Sequence, residues 1–194
     1  MRPTFGRVSK YGAMALSWSM DKLGPITRSA EDCAIVFNAI KGADGKDMSV
    51  IEAPFNYTSP GNTLKGMKIG YIKSAFAGKS LNDSLSLVKL KELGVDLIPI
   101  ELPKMPYGDM LIILSAEAGA AFSDLTLSNR DDLLVKQGKS AWPNLFRSAR
   151  FIPAVEYIQA NRARTMLMEK LQQLMKGLDA YIAPSFGENL LATN

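Results

Sequence analysis

The most regular pattern of apolar and polar positions lies between residues 67 and 100. Met67–Ile72 (MKIGYI) has the character of a buried strand, and Leu81–Leu93 repeats apolar residues at helical spacing. Gly94 is a typical helix stop, and Val95–Ile100 (VDLIPI) has the character of a second strand. A strand, a helix and a strand of these lengths form a βαβ unit, which favours parallel pairing and predicts an α/β fold.

Helical patterns flank this unit on both sides. Ser29 is a predicted N-cap with Asp32 at the third position, and Gly42 closes that helix. The apolar face predicted for this helix contains Cys33, Val36, Phe37 and Ile40. Cys33 is therefore interpreted as a small core residue rather than a reactive thiol.

The second half of the chain predicts two longer helices. Residues 110–127 are apolar and rich in alanine, which predicts a largely buried helix around Glu117. The carboxylate of Glu117 is interpreted as partly exposed or hydrogen-bonded, with a functional role as the alternative. Pro153 opens a helix that runs to about Lys176, and residues 178–183 predict a short strand.

The remaining segments are predicted to be irregular or short. Residues 43–66 contain glycines and prolines without a sustained period, which predicts a loop or a surface excursion. Residues 129–142 predict a polar loop with a short helical turn. Near the N-terminus, Val8 and Ala13–Leu16 predict short buried strands.

Composition narrows the possible chemistry. The chain has 194 residues, of which 47% are hydrophobic and 22% charged, and its formal net charge is +4. These values fit a globular chain with scattered basic residues, so we expect neither a nucleic-acid surface nor a membrane span. There is no histidine and one cysteine, which excludes a disulfide within the chain, a Ser-His-Asp triad and histidine or thiolate metal sites. We expect no cofactor, and the compartment stays open with the cytoplasm slightly favoured.

Two short motifs are weak indications of a phosphate-binding loop and of an acyl-enzyme. Gly78-Lys79-Ser80 follows a predicted strand, as the end of a phosphate-binding loop does, but Lys73 stands where that loop needs a glycine. Ser19 and Lys22 have the S-x-x-K spacing of acyl-enzymes, although the partner motifs S-D-N and K-T-G are absent. A helix-entry turn and a chance match are the favoured interpretations.

A longer run near the N-terminus has a specific pattern. Arg2–Gly12 reads RPTFGRVSKYG, and Ser19–Pro25 reads SMDKLGP. Further runs are TRSAED at residues 27–32, NAIKGAD at 38–44, LKGMKIG at 64–70 and DAYIAPS at 179–185. Taken together these runs resemble the amidase signature enzymes, which include the A subunit of the tRNA-dependent amidotransferase. Residues 103–150 match only loosely.

This resemblance implies a fold, an activity and a placement within a longer enzyme. The implied fold is a partial amidase-signature fold, α/β, with a mixed sheet, a βαβ unit and flanking helices. The implied reaction is cleavage of carbon–nitrogen amide bonds by a Ser–cis-Ser–Lys triad. In the family that triad lies upstream of the run that begins at Arg2, so no catalytic residue is assigned. We expect residues 1–194 to be a single partial domain, the substrate-side portion of an amidase truncated at both ends and inactive alone.

The resemblance also implies substrate-binding residues. The segment YIQANRART at residues 157–165 resembles the long helix of the amidotransferase A subunit, where an arginine contacts the carboxylate of glutamine. That arginine corresponds to Arg164. Independently, Ser185 and Phe186 follow the carboxyl end of a predicted strand, where open α/β sheets bind ligands. A solvated helix face is the alternative interpretation of Arg164.

Three interpretations of the whole chain stay open at this point. The favoured one is an enzyme portion that binds a small amide substrate. The alternatives are a non-catalytic binding or interaction module on the same scaffold, and a truncated reading frame without a role of its own. If the family sheet is cut at both ends, we expect self-association through exposed sheet edges.

Overall fold

The computed structural model describes residues 1–57, 64–77 and 81–184. In chain order its helices and strands are α1 (Ala30–Ile40), β1 (Lys68–Ile72), α2 (Lys73–Phe76), α3 (Leu81–Glu92), β2 (Asp96–Ile100), α4 (Ile112–Ala121), α5 (Ser123–Leu127), α6 (Trp142–Ala149), α7 (Ala154–Leu174) and β3 (Ala180–Ile182). Short 3-10 turns occupy Asp109–Leu111 and Arg130–Leu133. No helix in this described part of the chain is both long and apolar enough to cross a membrane.

The chain forms two compact units. The first comprises Met1–Ser59 and Pro106–Arg162, and the second comprises Pro60–Met105 and Ala163–Asn194. The first unit contains α1, α4, α5, α6 and the beginning of α7, and the second contains all three described strands, α2, α3 and the rest of α7. A single partial domain over residues 1–194 stays a prediction.

The second unit is built on a parallel sheet with the strand order β2–β1–β3. Ile69 of the central strand lies opposite Leu97 on one side and Ala180 on the other. The chain passes from β1 to β2 through α2 and α3, which confirms the predicted βαβ unit and the α/β class. The described strands pair in parallel only.

The central strand buries Gly70 and Ile72 on one face, as the two-residue period of a strand requires. A Cβ atom at Gly70 would lie 2.9 Å from Ile100 Cδ1 and 3.0 Å from Leu178 Cδ1. The glycine therefore leaves room for two large side chains that cover the sheet. β1 and β2 match the predicted segments within one residue, whereas β3 is shorter than predicted.

Helix α1 begins as its sequence predicts, because Ser29 Oγ accepts a hydrogen bond of 3.0 Å from the backbone N–H of Asp32. Its buried residues, however, are Ala34 and Phe37, and the Phe37 ring packs edge-to-face on Phe55 at 4.7 Å. Three members of the predicted apolar face are more exposed than expected: Cys33 is half-buried, and Val36 and Ile40 are exposed. Only a narrow stripe of the helix, at Ala34 and Phe37, is buried. The predicted burial of most of the apolar face was therefore wrong.

The two predicted N-terminal strands have different outcomes. Val8 forms an isolated parallel bridge with Gly42. Ala13–Leu16 forms no strand, so that prediction was wrong. The amide of Ala13 closes a turn on the Lys10 carbonyl, and the amide of Leu16 donates to the Asp21 carboxylate at 2.8 Å. The backbone N–H groups of Ala13 and Leu16 therefore donate within local turns and are not available to a neighbouring strand.

Helices α4, α5 and α6 pack together in the first unit. The predicted helix over residues 110–127 breaks at Phe122, so that α4 and α5 are separate. The sequence did not predict α6, which carries Pro143 in its first turn. Phe146 of α6 stacks on Phe122 at 4.6 Å, and Arg147 binds the buried Asp131 carboxylate at 2.5 Å. This cluster aligns α6 against the break between α4 and α5.

The closest approach of α4 and α6 generates the first testable prediction. A Cβ atom at Gly119 would lie 2.6 Å from the Cβ of Ala149 on α6. Glycine to alanine normally stabilises a helix by about 1 kcal/mol. Here we expect Gly119→Ala to lower the free energy of unfolding by about 1–3 kcal/mol, because the helices must move apart. Urea unfolding followed by circular dichroism measures the difference.

The matched control is Gly138→Ala, since a Cβ atom at Gly138 would meet nothing within 4 Å. We expect its unfolding midpoint to stay close to that of the parent chain. A midpoint for Gly119→Ala at or above that of the control would contradict the close helix contact.

Candidate functional site

A buried carboxylate on α4 gathers hydrogen-bond donors from distant parts of the described chain. Glu117 is 7% exposed, and each of its two carboxylate oxygens accepts two hydrogen bonds. Ser17 Oγ and the Ser19 backbone N–H donate to Oε2 at 2.5 and 3.0 Å. Ser19 Oγ and the Tyr157 hydroxyl donate to Oε1 at 2.7 and 2.9 Å. We call Ser17, Ser19, Glu117 and Tyr157 the Glu117 network.

Three separate segments of the first unit meet in this network. Glu117 comes from the middle of α4, and Tyr157 comes from the first turn of α7. The two serines come from a tight turn in which the Asp21 amide donates to the Ser17 carbonyl at 2.8 Å. The Asp21 carboxylate in turn accepts the Ser17 N–H at 3.0 Å. These two hydrogen bonds lie within the turn and are independent of its contacts with Glu117.

The pKa of Glu117 reflects two opposing effects. Burial alone raises the pKa of the carboxyl group, because it disfavours the charged form. Hydrogen bonds from Ser17, Ser19 and Tyr157 favour the charged form and prevail, so the pKa lies below its usual value. Glu117 is therefore ionised at neutral pH. Its hydrogen bonds with Ser17 and Ser19 hold the turn that contains both serines.

This arrangement determines how Trp18 is presented. Ser17 and Ser19 are both bound to Glu117, and the indole between them is 53% exposed. Trp18 also borders a cavity of about 310 Å3 with Ala116, Ala120 and Tyr157. Two anchored neighbours restrict the backbone on both sides of the indole, so the network positions an aromatic side chain at the surface.

The structure does not support the S-x-x-K pair as a catalytic dyad. Ser19 Oγ donates to Glu117, and Lys22 Nζ donates to the carbonyl of Met20 at 3.0 Å. A serine nucleophile needs its base within hydrogen-bonding distance, and these two groups bind other partners. Among the described residues, no cluster of three or more histidine, cysteine or acidic side chains could hold a metal ion.

Of the three predicted substrate-binding residues, the structure describes Arg164. Arg164 is half-buried on α7 within the second unit. Ser185 and Phe186 lie outside the described residues, as do Gly78-Lys79-Ser80. The substrate-binding role of Arg164, Ser185 and Phe186 stays a prediction.

Sequence reasoning did not find the Glu117 network as a unit. It gave a hydrogen-bonded Glu117 as the ordinary interpretation, which the structure confirms. The donors, however, lie 98 and 100 positions earlier and 40 positions later. Helical and strand periodicity concern near neighbours, so neither could indicate these partners. The only local signal was the pair of serines on either side of Trp18.

The network predicts a specific loss of stability. In Glu117→Gln an amide N–H2 replaces one carboxylate oxygen, so two buried donors face another donor. We expect the free energy of unfolding at pH 7 to fall by about 1–3 kcal/mol. Because the folded-state pKa of Glu117 is lowered, its contribution is complete above the unfolded pKa of about 4.3 and is lost as the pH falls through the folded pKa. The difference between parent and variant should therefore shrink below about pH 4.

Denaturant unfolding from pH 3 to pH 8 measures this difference, with the exposed Glu156→Gln as the matched control. We expect the control to change stability by less than about 0.5 kcal/mol at every pH. A constant difference between Glu117→Gln and the parent across this range would show that the charge of Glu117 does not stabilise the fold.

Comparisons with known proteins agree on one family. The family model described as Amidase matches residues 1–193. The A subunit of the glutamyl-tRNA(Gln) amidotransferase of Geobacter metallireducens is 28% identical over 214 residues, which covers 95% of this chain and 44% of the relative. An amidase of Pseudomonas putida is 29% identical over 197 residues, which covers 95% of this chain and 40% of the relative.

Solved structures agree as well. One chain belongs to an inhibitor-bound vestigial protein complex, described as revealing the evolutionary origins of an s-triazine catabolic enzyme. It superimposes with a TM-score of 0.76 at 26% identity, covering 94% of this chain and 40% of the other. The chain thus spans less than half the length of the relatives it matches. The match over residues 1–193 and the shared fold confirm the resemblance, and the chain belongs to the amidase family.

Proposed function

We propose that this chain is the substrate-side portion of an enzyme that cleaves carbon–nitrogen amide bonds. The observation that carries the proposal is the amidase family match over residues 1–193. In the signature enzymes the catalytic Ser–cis-Ser–Lys triad precedes the run that corresponds to Arg2–Gly12. None of the serines or lysines of this chain occupies a triad position, so the nucleophile comes from residues that precede that run.

The proposed reaction proceeds through an acyl-enzyme. The lysine accepts the proton of the nucleophilic serine by way of the second serine, and the serine oxygen attacks the amide carbonyl carbon. The tetrahedral intermediate collapses as the carbon–nitrogen bond breaks, and the leaving nitrogen takes up the proton that the lysine had accepted. Water then attacks the ester carbonyl and releases the acid, with the proton returning to the lysine–serine pair. This chain contributes binding surfaces to that reaction and no reacting group.

Arg164 is the proposed contact for a carboxylate on the substrate. It lies half-buried on α7, whereas Arg162 two positions earlier is exposed and donates to Gln159 at 3.1 Å. A half-buried guanidinium is better placed than an exposed one to bind a carboxylate through paired hydrogen bonds. Ser185 and Phe186, which follow the carboxyl end of β3, are proposed to complete the same pocket.

The test is a chimaera in which residues 1–194 replace the matched segment of the Pseudomonas putida amidase. We expect the chimaera to hydrolyse simple amides and the 194-residue chain alone to show no turnover. In the chimaera, Arg164→Ala should raise KM for carboxylate-bearing amides by about 10- to 100-fold, because a charge-assisted hydrogen bond is lost. KM for neutral amides should hardly change.

Arg162→Ala is the matched control and should leave both kinds of substrate unaffected. Equal small effects of Arg164→Ala on charged and neutral amides, with unchanged stability, would make Arg164 a surface residue. Turnover by the chain alone that a serine-directed inhibitor abolishes would overturn the upstream location of the nucleophile. A folded chimaera that binds amides without hydrolysing them would favour a non-catalytic binding module.

We also propose that the isolated chain self-associates through the edge of β3. Among the described strands, β3 pairs only with β1, so its other edge has no strand partner. The opposite edge strand, β2, contains Pro99, and proline makes a strand edge a poor partner for further pairing.

This proposal predicts the effect of a charge at the β3 edge. Ala180 is exposed, and Ala180→Lys should shift the chain from oligomer toward monomer in sedimentation velocity, because lysine on an edge strand opposes pairing. Ala77→Lys introduces the same charge at an exposed position outside the strands and is the matched control. A monodisperse parent monomer would contradict the proposal.

A further inference from the structure

A second cavity of the first unit combines basic and aromatic side chains. It has a volume of about 350 Å3, within the range of about 300–1,000 Å3 typical of small-molecule sites. Its walls include three lysines and two aromatic residues: Lys10, Lys22, Lys46, Tyr11 and Trp18. The proposed amide cleavage does not use it.

The acidic side chains around this cavity are already engaged. Asp21 Oδ2 accepts the backbone N–H groups of Leu16 and Ser17 at 2.8 and 3.0 Å. Asp47 accepts hydrogen bonds from Ser49 Oγ at 2.6 Å and from the Lys10 N–H at 2.9 Å. Each carboxylate therefore stabilises its own loop, and neither needs a lysine side chain from across the cavity for its hydrogen bonds.

The three lysines differ in how firmly they are held. Lys10 Nζ donates to Ser49 Oγ at 2.8 Å and lies 3.7 Å from Asp47, so it balances that carboxylate. Lys46 Nζ lies over the ring of Tyr11, 4.7 Å from its centroid. Its neighbour Asp44, outside the cavity lining, accepts the Lys46 backbone N–H. Lys22 Nζ donates to the uncharged Met20 carbonyl. Lys22 and Lys46 thus make no ion pair among the described residues and can turn toward an anion.

The aromatic walls define the shape of the ligand. Tyr11 is 65% exposed and Trp18 is 53% exposed. The Glu117 network holds the backbone on both sides of Trp18, which lowers the entropy lost when a ligand stacks on the indole. Planar rings gain most from such faces. The cavity therefore offers flat apolar contacts beside two ammonium groups.

We propose that this cavity binds a small aromatic carboxylate. The carboxylate lies between the ammonium groups of Lys22 and Lys46, and the ring packs on Trp18 and Tyr11. The ammonium group of lysine is a point charge and lacks the planar two-donor geometry of an arginine guanidinium. The aromatic walls therefore provide the selectivity between anions. The binding involves no covalent step.

The experiment uses the full chain carrying Trp142→Phe, which leaves Trp18 as the only tryptophan. Benzoate is titrated while the fluorescence of Trp18 is followed. We expect a saturable change in intensity, and Lys22→Gln and Lys46→Gln should each raise the Kd by about fivefold, as the loss of one exposed ion pair predicts. Lys104→Gln, a change at an exposed lysine outside the cavity, should leave the Kd unchanged.

Three further ligands separate the contributions of charge and ring. Benzylammonium has the same ring with the opposite charge and should not bind, and cyclohexanecarboxylate should bind more weakly than benzoate. Inorganic phosphate that bound as tightly as benzoate would overturn the aromatic part of the proposal. A Kd for benzoate unchanged in both lysine variants, or no saturable change in the parent, would overturn the site itself. Thermal unfolding of each variant confirms that the fold is retained.

Discussion

The first unit depends on the cost of burying the charge of Glu117. An ionised carboxylate inside a protein is tolerated only when its oxygens are hydrogen-bonded. Here four donors from two serines and a tyrosine meet that need, and they come from three distant parts of the chain. Satisfying one carboxylate therefore joins the N-terminal turn, α4 and the beginning of α7.

The same constraint links stability to the presentation of side chains. Ser17 and Ser19 cannot move from Glu117 without leaving the carboxylate short of donors, so Trp18 is held at the surface between them. Asp21 reinforces this turn by accepting two of its backbone amides. The exposed indole on this fixed backbone borders two cavities. The hydrogen bonds of Glu117 thereby fix the backbone beside an exposed aromatic side chain.

A glycine permits a close contact in each of the two units. In the second unit, Gly70 lets Ile100 and Leu178 cover the central strand. In the first, Gly119 lets α4 approach α6, and the Phe122–Phe146 stack and the Asp131–Arg147 pair align the helices. Protein interiors are close-packed, so the absence of a Cβ atom decides how closely the neighbouring elements approach. Both close contacts belong to the scaffold of a chain that matches the amidase family over residues 1–193.

The sequence alone determined the elements whose signals are local. The βαβ unit followed from strand and helix periods within 34 residues, and the start of α1 followed from Ser29 and its partner three positions later. The opening stretch Arg2–Pro25, together with the later runs, indicated the family, because many residues match at fixed spacing. Only the tertiary structure decided which face of α1 is buried, where α4 ends and which groups bind Glu117. These depend on contacts between residues as many as 100 positions apart, and burial and hydrogen bonding across such distances leave no period in the sequence.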